Sequence, residues 1–343
     1  MKKKRKTKLK IKRLFIFILF ICLIIGLIIF IPKQKETKQV VSKLETIGYS
    51  KKEINKLNKL SKEELKIIEK NEYNKNIIDI ISSKAYKKEN LKLYLKYIKD
   101  NVSNDMISFI NEKYYINDFL DRYLKFKEKN TDLDYTEIVK QVNSNLDYTF
   151  YDDSKEADTS KGMYTLVNKF YYLDKNYIPD DLVDVEKEYA RDSAKMNKTA
   201  YENFKKMADA AKEEGLTLLI TTAYRNYNFQ ATLYNNYVRQ DGKEQADTYS
   251  ARPGYSEHQL GYSADLTNKE RVSFGEFKNT KEFNWLKNNA YKYGFIIRYT
   301  EANQYITGYV PESWHYRYVG EDIAKYIYEN NITYEEYYAY FLR

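Results

Sequence analysis

Only two histidines occur in the 343-residue chain, and each lies in a dense cluster of polar and aromatic residues. His258 lies in the segment 253–265, which reads PGYSEHQLGYSAD, and His315 lies in the segment 311–318, which reads PESWHYRY. A catalytic zinc ion takes three protein ligands of the His or carboxylate type and leaves one position for water. The two histidines and Asp265 would supply that set, although a lone histidine is more often a structural residue.

Two glutamates lie beside these histidines. Glu312 precedes His315 by three residues and is placed to be a general base, which takes a proton from a metal-activated water and passes it to the leaving amine. Glu257 is the competing acid near His258. In an extended segment adjacent side chains point to opposite sides, so Asp265 is preferred to Glu257 as the third ligand.

Residues 256–265, which read SEHQLGYSAD, followed by ESWH at residues 312–315, resemble the signature S-E-H-x-x-G-x-A-x-D and E-x-W-H of the VanY-like D-alanyl-D-alanine carboxypeptidases, with Ser263 as a departure just before Ala264. These belong to a wider set of zinc metallopeptidases that includes D-Ala-D-Ala dipeptidases and phage endolysin endopeptidases. The resemblance extends over roughly residues 170–341. It implies one Zn²⁺ ion with the ligands His258, Asp265 and His315, and it implies that Glu312 is the base. The matching positions are Ser256, Glu257, His258, Gly261, Asp265, Glu312, Trp314 and His315.

The resemblance also implies a set of substrate-binding residues. The family has a Tyr-Arg pair after an early strand, here Tyr224 and Arg225, and a Gln shortly after it, here Gln230. Arg225 follows the apolar run LTLLIT, and a guanidinium in such a loop could stabilise an oxyanion or bind a peptide carboxylate. Ser256 resembles a residue that hydrogen-bonds the terminal carboxylate of the substrate, and Trp314 is expected to form a pocket wall.

The expected function is a zinc carboxypeptidase that removes the terminal D-Ala from peptidoglycan stem peptides. An L,D-carboxypeptidase or a peptidoglycan endopeptidase of the same family is the first alternative. A non-catalytic wall-binding protein with a structural metal is the second, and Glu312 argues against it because a structural zinc has four protein ligands. A serine D,D-peptidase is excluded, because no Ser of this chain is followed by Lys three residues later.

The N-terminus determines the charge and predicts a membrane anchor. Residues 1–13 contain nine Lys or Arg and no acid; the rest of the chain has 49 basic and 49 acidic residues, which does not favour nucleic-acid binding. The following apolar run predicts a transmembrane helix at residues 14–32, with a cytoplasmic N-terminus and an extracytoplasmic catalytic domain. A cleaved signal peptide is the alternative.

The elements that carry the site are expected after a helical spacer. Residues 33–146 are predicted to form short amphipathic helices, with S-x-x-E capping boxes at Ser50 and Ser61 and a weak sequence repeat. We expect them to be a stalk; a small module that binds the wall or a partner is the alternative. Residues 147–161 read as a linker. Residues 162–343 are predicted to form an α+β domain with a central antiparallel sheet flanked by helices. Its expected elements are a helix at 199–214 and strands at 216–221, 263–266, 295–299 and 315–318.

Overall fold

A computed structural model describes residues 39–343 of the chain. These residues form two compact units, which divide between Leu124 and Lys125. Helices continue to Asn143, and the predicted linker at residues 147–161 belongs to the second unit.

The first unit is built from short helices. Both predicted capping boxes are confirmed: the side chains of Ser50 and Ser61 accept from the backbone N–H of Glu53 and Glu64, whose carboxylates accept in return. The helices are α1 (residues 39–47), α2 (Lys51–Leu57), α3 (Lys62–Ile68), α4 (Ile77–Ser82), α5 (Leu91–Tyr97), α6 (Asn104–Ile110) and α7 (Leu120–Lys129), which crosses the division between the units.

Two helices of this region begin with the same local hydrogen bond. The hydroxyl of Tyr94 accepts from the backbone N–H of Lys87 at 3.1 Å, and the hydroxyl of Tyr123 accepts from that of Ile116 at 3.2 Å. In both cases a 3₁₀ turn leads directly into the helix that carries the tyrosine. The starts of α5 and α7 therefore share one local arrangement.

The second unit is α+β, as predicted. Its helices are α8 (Tyr135–Asn143), α9 (Lys198–Glu213), α10 (Tyr227–Asp241), α11 (Lys243–Tyr249), α12 (Phe274–Phe277), α13 (Lys281–Asn289), α14 (Gln304–Thr307), α15 (Glu321–Asn330) and α16 (Tyr334–Tyr337). Its strands are β1 (Lys155–Glu156), β2 (Tyr171–Tyr172), β3 (Leu182–Asp184), β4 (Lys195–Asn197), β5 (Leu219–Thr222), β6 (Ser263–Thr267), β7 (Phe295–Tyr299) and β8 (Glu312–Tyr318).

The central sheet has four antiparallel strands in the order β5-β6-β8-β7. All five residues of β6 are buried, as expected for an inner strand with neighbours on both edges. The predicted strands at 263–266, 295–299 and 315–318 are therefore confirmed. The first strand begins at Leu219 rather than at residue 216, because its partner β6 ends at Thr267, directly opposite Leu219.

Helix α9 packs its apolar face into the core of this unit. Asn197 caps its N-terminus by accepting from the backbone N–H groups of Thr199 and Ala200. The buried apolar residues recur at helical spacing, which confirms the predicted amphipathic helix. They are Ala200, Tyr201, Phe204, Met207, Ala208 and Ala211.

One element of the predicted fold class is corrected. Among residues 39–343, no helix is both long enough and apolar enough to cross a bilayer. The longest helix of these residues, α9, has 16 residues and a charged face; it spans about 24 Å, which is short of the ~30 Å hydrocarbon core. The predicted transmembrane helix at residues 14–32 lies outside the described residues. For residues 39–343 the fold class is therefore corrected to α+β with short helices and without such a helix.

Candidate metal centre

His258 is held by a short 3₁₀ turn, Glu257–Leu260, that immediately precedes β6. The turn ends at Gly261, whose φ of +77° lies in the left-handed region that favours glycine. A Cβ atom at this position would approach Leu182 Cδ2 to 2.9 Å. The Nδ1 atom of His258 lies 2.6 Å from the backbone oxygen of Ala223. A proton on Nδ1 donates to that oxygen, which leaves Nε2 free to bind a metal.

Asp265 and His315 are brought together by strand pairing. They are direct partners in the antiparallel register of β6 and β8. Partners in such a pair project their side chains from the same face of the sheet. His315 Nδ1 consequently lies 3.0 Å from Asp265 Oδ1, although the two residues are 50 positions apart in the chain.

The three predicted ligand residues form a nearly regular triangle of donor atoms, all of them buried. His258 Nε2 lies 3.2 Å from His315 Nδ1 and 3.4 Å from Asp265 Oδ1, and the third side is 3.0 Å. Zinc lies about 2.0–2.1 Å from such ligands, so the corners of its tetrahedron are about 3.3 Å apart. The residues therefore fit one face of a zinc tetrahedron, with the fourth corner left for water.

Glu312 lies beside this triangle, at the start of β8. Its Oε2 atom is 3.8 Å from His315 Nδ1. Burial raises the pKa of Glu312 to about 8, and the nearby carboxylate of Asp265 acts in the same direction. A carboxyl group with a pKa near neutrality is suited to taking up and releasing a proton.

Arg225 reaches the site from the loop after β5. Its backbone N–H donates to the backbone oxygen of His258, and its Nη1 atom lies 3.2 Å from Asp265 Oδ2. The Nε atom is buried and has no hydrogen-bond partner among residues 39–343. The side chain as a whole is 16% exposed and lines the cavity in front of the triangle, so it can contact a substrate there.

Two of the four predicted substrate-binding residues lie at the site. A cavity of about 330 Å³ in front of the triangle is lined by Ser256 and Trp314, together with Arg225 and Glu312. Tyr224 and Gln230 are not among the lining residues. The Gln230 side chain is buried and donates to the backbone oxygen of Ala251 at 2.7 Å, so it supports the loop that leads to Ser256.

The sequence analysis missed the role of Glu257. This residue is not a competing metal ligand: its Oε1 atom accepts a hydrogen bond from His315 Nε2 at 2.9 Å. Burial favours the neutral acid, but Arg298 and Arg317 hold the pKa of Glu257 well below its ordinary value. The signal in the sequence is the pair of arginines within buried strands, FIIRY and HYRY, because a buried guanidinium requires a buried acid.

Comparisons with known proteins agree with this geometry. The model of the family "VanY: D-alanyl-D-alanine carboxypeptidase" matches residues 193–321, which include the donor triangle and Glu312. The putative carboxypeptidase YodJ of Bacillus subtilis is 40% identical over 205 residues, which cover 56% of this chain and 75% of that protein. A D-alanyl-D-alanine carboxypeptidase of Enterococcus faecalis is 31% identical over 192 residues, which cover 53% of this chain and 68% of that protein.

A solved structure shows the same fold. The LdcB LD-carboxypeptidase is 38% identical with a TM-score of 0.52, over 55% of this chain and 91% of that structure. Because the family model spans the whole donor set and YodJ is matched over three quarters of its length, the chain belongs to the VanY D-alanyl-D-alanine carboxypeptidase family of zinc-dependent peptidases.

Proposed function

We propose that this chain removes the terminal D-alanine from peptidoglycan stem peptides, at an extracytoplasmic location where that substrate lies. One observation carries the proposal: the donor triangle of His258, Asp265 and His315 opens into a cavity that also contains Glu312 and Arg225. A substrate in this cavity meets a metal site, a base and a cation together. The family match and the D-alanyl-D-alanine relatives support the choice of substrate.

The triangle would hold the zinc ion, which supplies a water of lowered pKa, about 7, and polarises the scissile carbonyl. Glu312 accepts a proton from the attacking water and delivers it to the nitrogen of the leaving D-alanine. For the first transfer Glu312 must be ionised, and a bound cation favours the carboxylate form of this buried group.

The remaining cavity residues bind and orient the substrate. The guanidinium group of Arg225, which lines the cavity, can donate to the oxygen on which negative charge develops, or to the terminal carboxylate of the peptide. Ser256 lines the same cavity. Trp314, whose ring stacks on that of Phe274 with centroids 5.1 Å apart, forms an apolar wall.

The proposal is tested by incubating the purified protein with a stem pentapeptide and measuring released D-alanine and bound zinc. The wild type is expected to bind one zinc ion, to release D-alanine, and to lose activity with a chelator until zinc is restored. Glu312→Gln is expected to retain zinc and to lose activity, because it keeps the shape of the side chain but cannot accept the proton. A zinc-free wild type, or a fully active Glu312→Gln protein, would contradict the proposal.

A second candidate is L,D-carboxypeptidase activity on tetrapeptide stems, which also end in D-alanine. The 38% identity to the LdcB LD-carboxypeptidase favours it, since this exceeds the 31% identity to the enterococcal D-alanyl-D-alanine carboxypeptidase. Comparing kcat/KM on matched penta- and tetrapeptides decides between the two. Preference for the tetrapeptide would assign the L,D-specific activity.

A further inference from the structure

A network of four buried charged side chains begins at His315. Glu257 lies in the turn before β6, Arg298 on β7, Arg317 on β8, and Glu335 on α16. None of the four is more than 3% exposed. Two acids and two guanidinium groups balance in charge, as a buried network requires. The proposed mechanism does not use any of these charges.

Glu257 distributes its two oxygens between the metal site and the arginines. Its Oε1 atom accepts from His315 Nε2 and from Ser263 Oγ, each at 2.9 Å. Its Oε2 atom accepts from Arg298 Nε at 3.0 Å and from Arg317 Nη1 at 3.2 Å. Because all four are close contacts to a fully buried carboxylate, Glu257 has little freedom to move.

Arg298 connects Glu257 to the last part of the described chain. Its two terminal nitrogens donate to Glu335 at 2.9 and 2.6 Å, in the bidentate arrangement that suits a guanidinium and a carboxylate. Asn168 also donates to Glu335, at 3.2 Å. Helix α16 is thus linked to His315 through two side chains, those of Arg298 and Glu257.

We propose that Glu257 is a positioning residue for the metal ligand His315, and that the ion pair between Arg298 and Glu335 holds Glu257 in place. The inference rests on the proposed zinc site. Neither Glu335 nor Arg298 touches the donor atoms of the triangle, so both act through Glu257.

The chemistry of imidazole gives the reason. A neutral imidazole carries its proton on one nitrogen only, and a carboxylate that accepts from Nε2 keeps the proton there. The lone pair of Nδ1 then points to the triangle, and the carboxylate raises its basicity. Without Glu257 the ring of His315 could carry its proton on Nδ1, which would block metal binding.

Glu335 matters because of charge balance. Without its negative charge, the two guanidinium groups of Arg298 and Arg317 face a single carboxylate, that of Glu257. Arg298 then competes with His315 for the oxygens of Glu257. A change at Glu335 is therefore transmitted to a metal ligand that it does not contact.

Three matched variants test the inference: Glu257→Gln, Glu335→Gln and, as the control, Glu336→Gln. Glu336 is the neighbour of Glu335 on the same helix and is equally buried, but it caps the helix by binding Thr333 and does not contact Arg298. Competition with a chelator measures zinc affinity. Glu257→Gln is expected to weaken it about 10- to 100-fold, Glu335→Gln by less but in the same direction, and Glu336→Gln not at all.

A spectroscopic measurement distinguishes an effect on the position of His315 from a general loss of protein stability. With only two histidines in the chain, imidazole ¹H–¹⁵N correlations of the zinc-loaded protein give two sets of signals. In the wild type, His315 is expected to carry its proton on Nε2 with the downfield shift of a strong hydrogen bond. Both Glu257→Gln and Glu335→Gln should move this signal, whereas Glu336→Gln should leave it unchanged.

The outcomes are distinct. Unchanged zinc affinity and an unchanged His315 signal in both Glu257→Gln and Glu335→Gln would overturn the inference, as would an equal loss of affinity in Glu336→Gln. If Glu257→Gln does not fold, Glu335→Gln decides the matter, since it retains the hydrogen-bonding shape of the side chain. A wild type without zinc affinity would overturn the proposed function, and this inference with it.

Discussion

Asp265 and His315 are register partners on two antiparallel strands, and their facing side-chain atoms lie 3.0 Å apart. The sheet itself therefore sets one side of the metal-binding triangle. Only His258 comes from outside the regular strands, and Gly261 fixes its turn. The rigidity of the site follows from backbone hydrogen bonds that are made whether or not a metal is bound.

Asp265→Asn is expected to weaken zinc binding, because it replaces a charged ligand with a neutral one. The loss of affinity should exceed the about 10- to 100-fold that follows from changing a residue that only hydrogen-bonds a ligand. The substitution also weakens the ion pair with Arg225. Chelator competition measures the affinity. Asp209→Asn, on the exposed face of α9, is the control; equal affinities in the two variants would contradict the assignment of Asp265 as a ligand.

Gly261→Ala and Gly215→Ala form a matched pair. Both glycines have φ near +78°, but a Cβ atom would meet Leu182 at 2.9 Å at Gly261 and no atom within 4 Å at Gly215. Gly215→Ala should lower the free energy of unfolding by about 1–2 kcal/mol, the cost of the left-handed conformation, and leave zinc affinity unchanged. Gly261→Ala should lower the free energy of unfolding by more than this, and it should also weaken zinc binding. Urea denaturation and zinc titration measure them, and identical behaviour would refute the steric argument.

Arg225→Lys is expected to reduce kcat/KM by about 10²- to 10³-fold, the usual effect of losing one donor to a developing oxyanion. Lysine keeps the charge but lacks the planar fork of N–H donors that a guanidinium group presents. Bound zinc should be unaffected. Arg239→Lys, near the C-terminus of α10 and exposed, should retain full activity. Full activity of Arg225→Lys would show that the guanidinium group of Arg225 is not needed for catalysis.

The burial of Lys169 predicts that the stability of the protein depends on pH. Burial lowers the pKa of this amine to about 8, although it donates to the backbone oxygens of Asp247 and Gly308. Between pH 8 and about 10.5 the unfolded state binds more protons at this residue, so the contribution of Lys169 to stability rises with pH.

Comparing the wild type with Lys169→Met isolates the contribution of the Lys169 amine to the pH dependence of stability. From pH 7 to pH 9.5 the difference in unfolding free energy, wild type minus variant, should increase by about 2 kcal/mol. Urea denaturation at the two pH values measures it. A difference that does not change with pH would show that the amine titrates normally.

The metal site could be predicted from sequence because its parts are local and rare. Two histidines and the acids beside them leave few choices, and a resemblance to a known signature selects among them. The core helix α9 and three strands could be predicted because their periodicity is regular. These features depend on residues that are close in the chain.

The network around Glu257 could not be predicted, because it depends on contacts between distant segments. Arg298 lies 41 positions from Glu257 and 37 from Glu335. Gln230 is a related case: its position in the motif suggested substrate binding, but its side chain turns to Ala251 in the supporting loop. Neither the pattern of residue types nor their spacing predicts the direction in which a side chain points.

The two histidines are separated by 57 positions in the chain, so the donor triangle exists only once the sheet has formed. Zinc should therefore bind the native chain far more tightly than the unfolded one, and by mass action it adds about 4 kcal/mol of stability at a thousandfold excess over its dissociation constant. Resistance to heat and to proteases should thus follow zinc supply, and the lifetime of the enzyme would report metal scarcity in its surroundings.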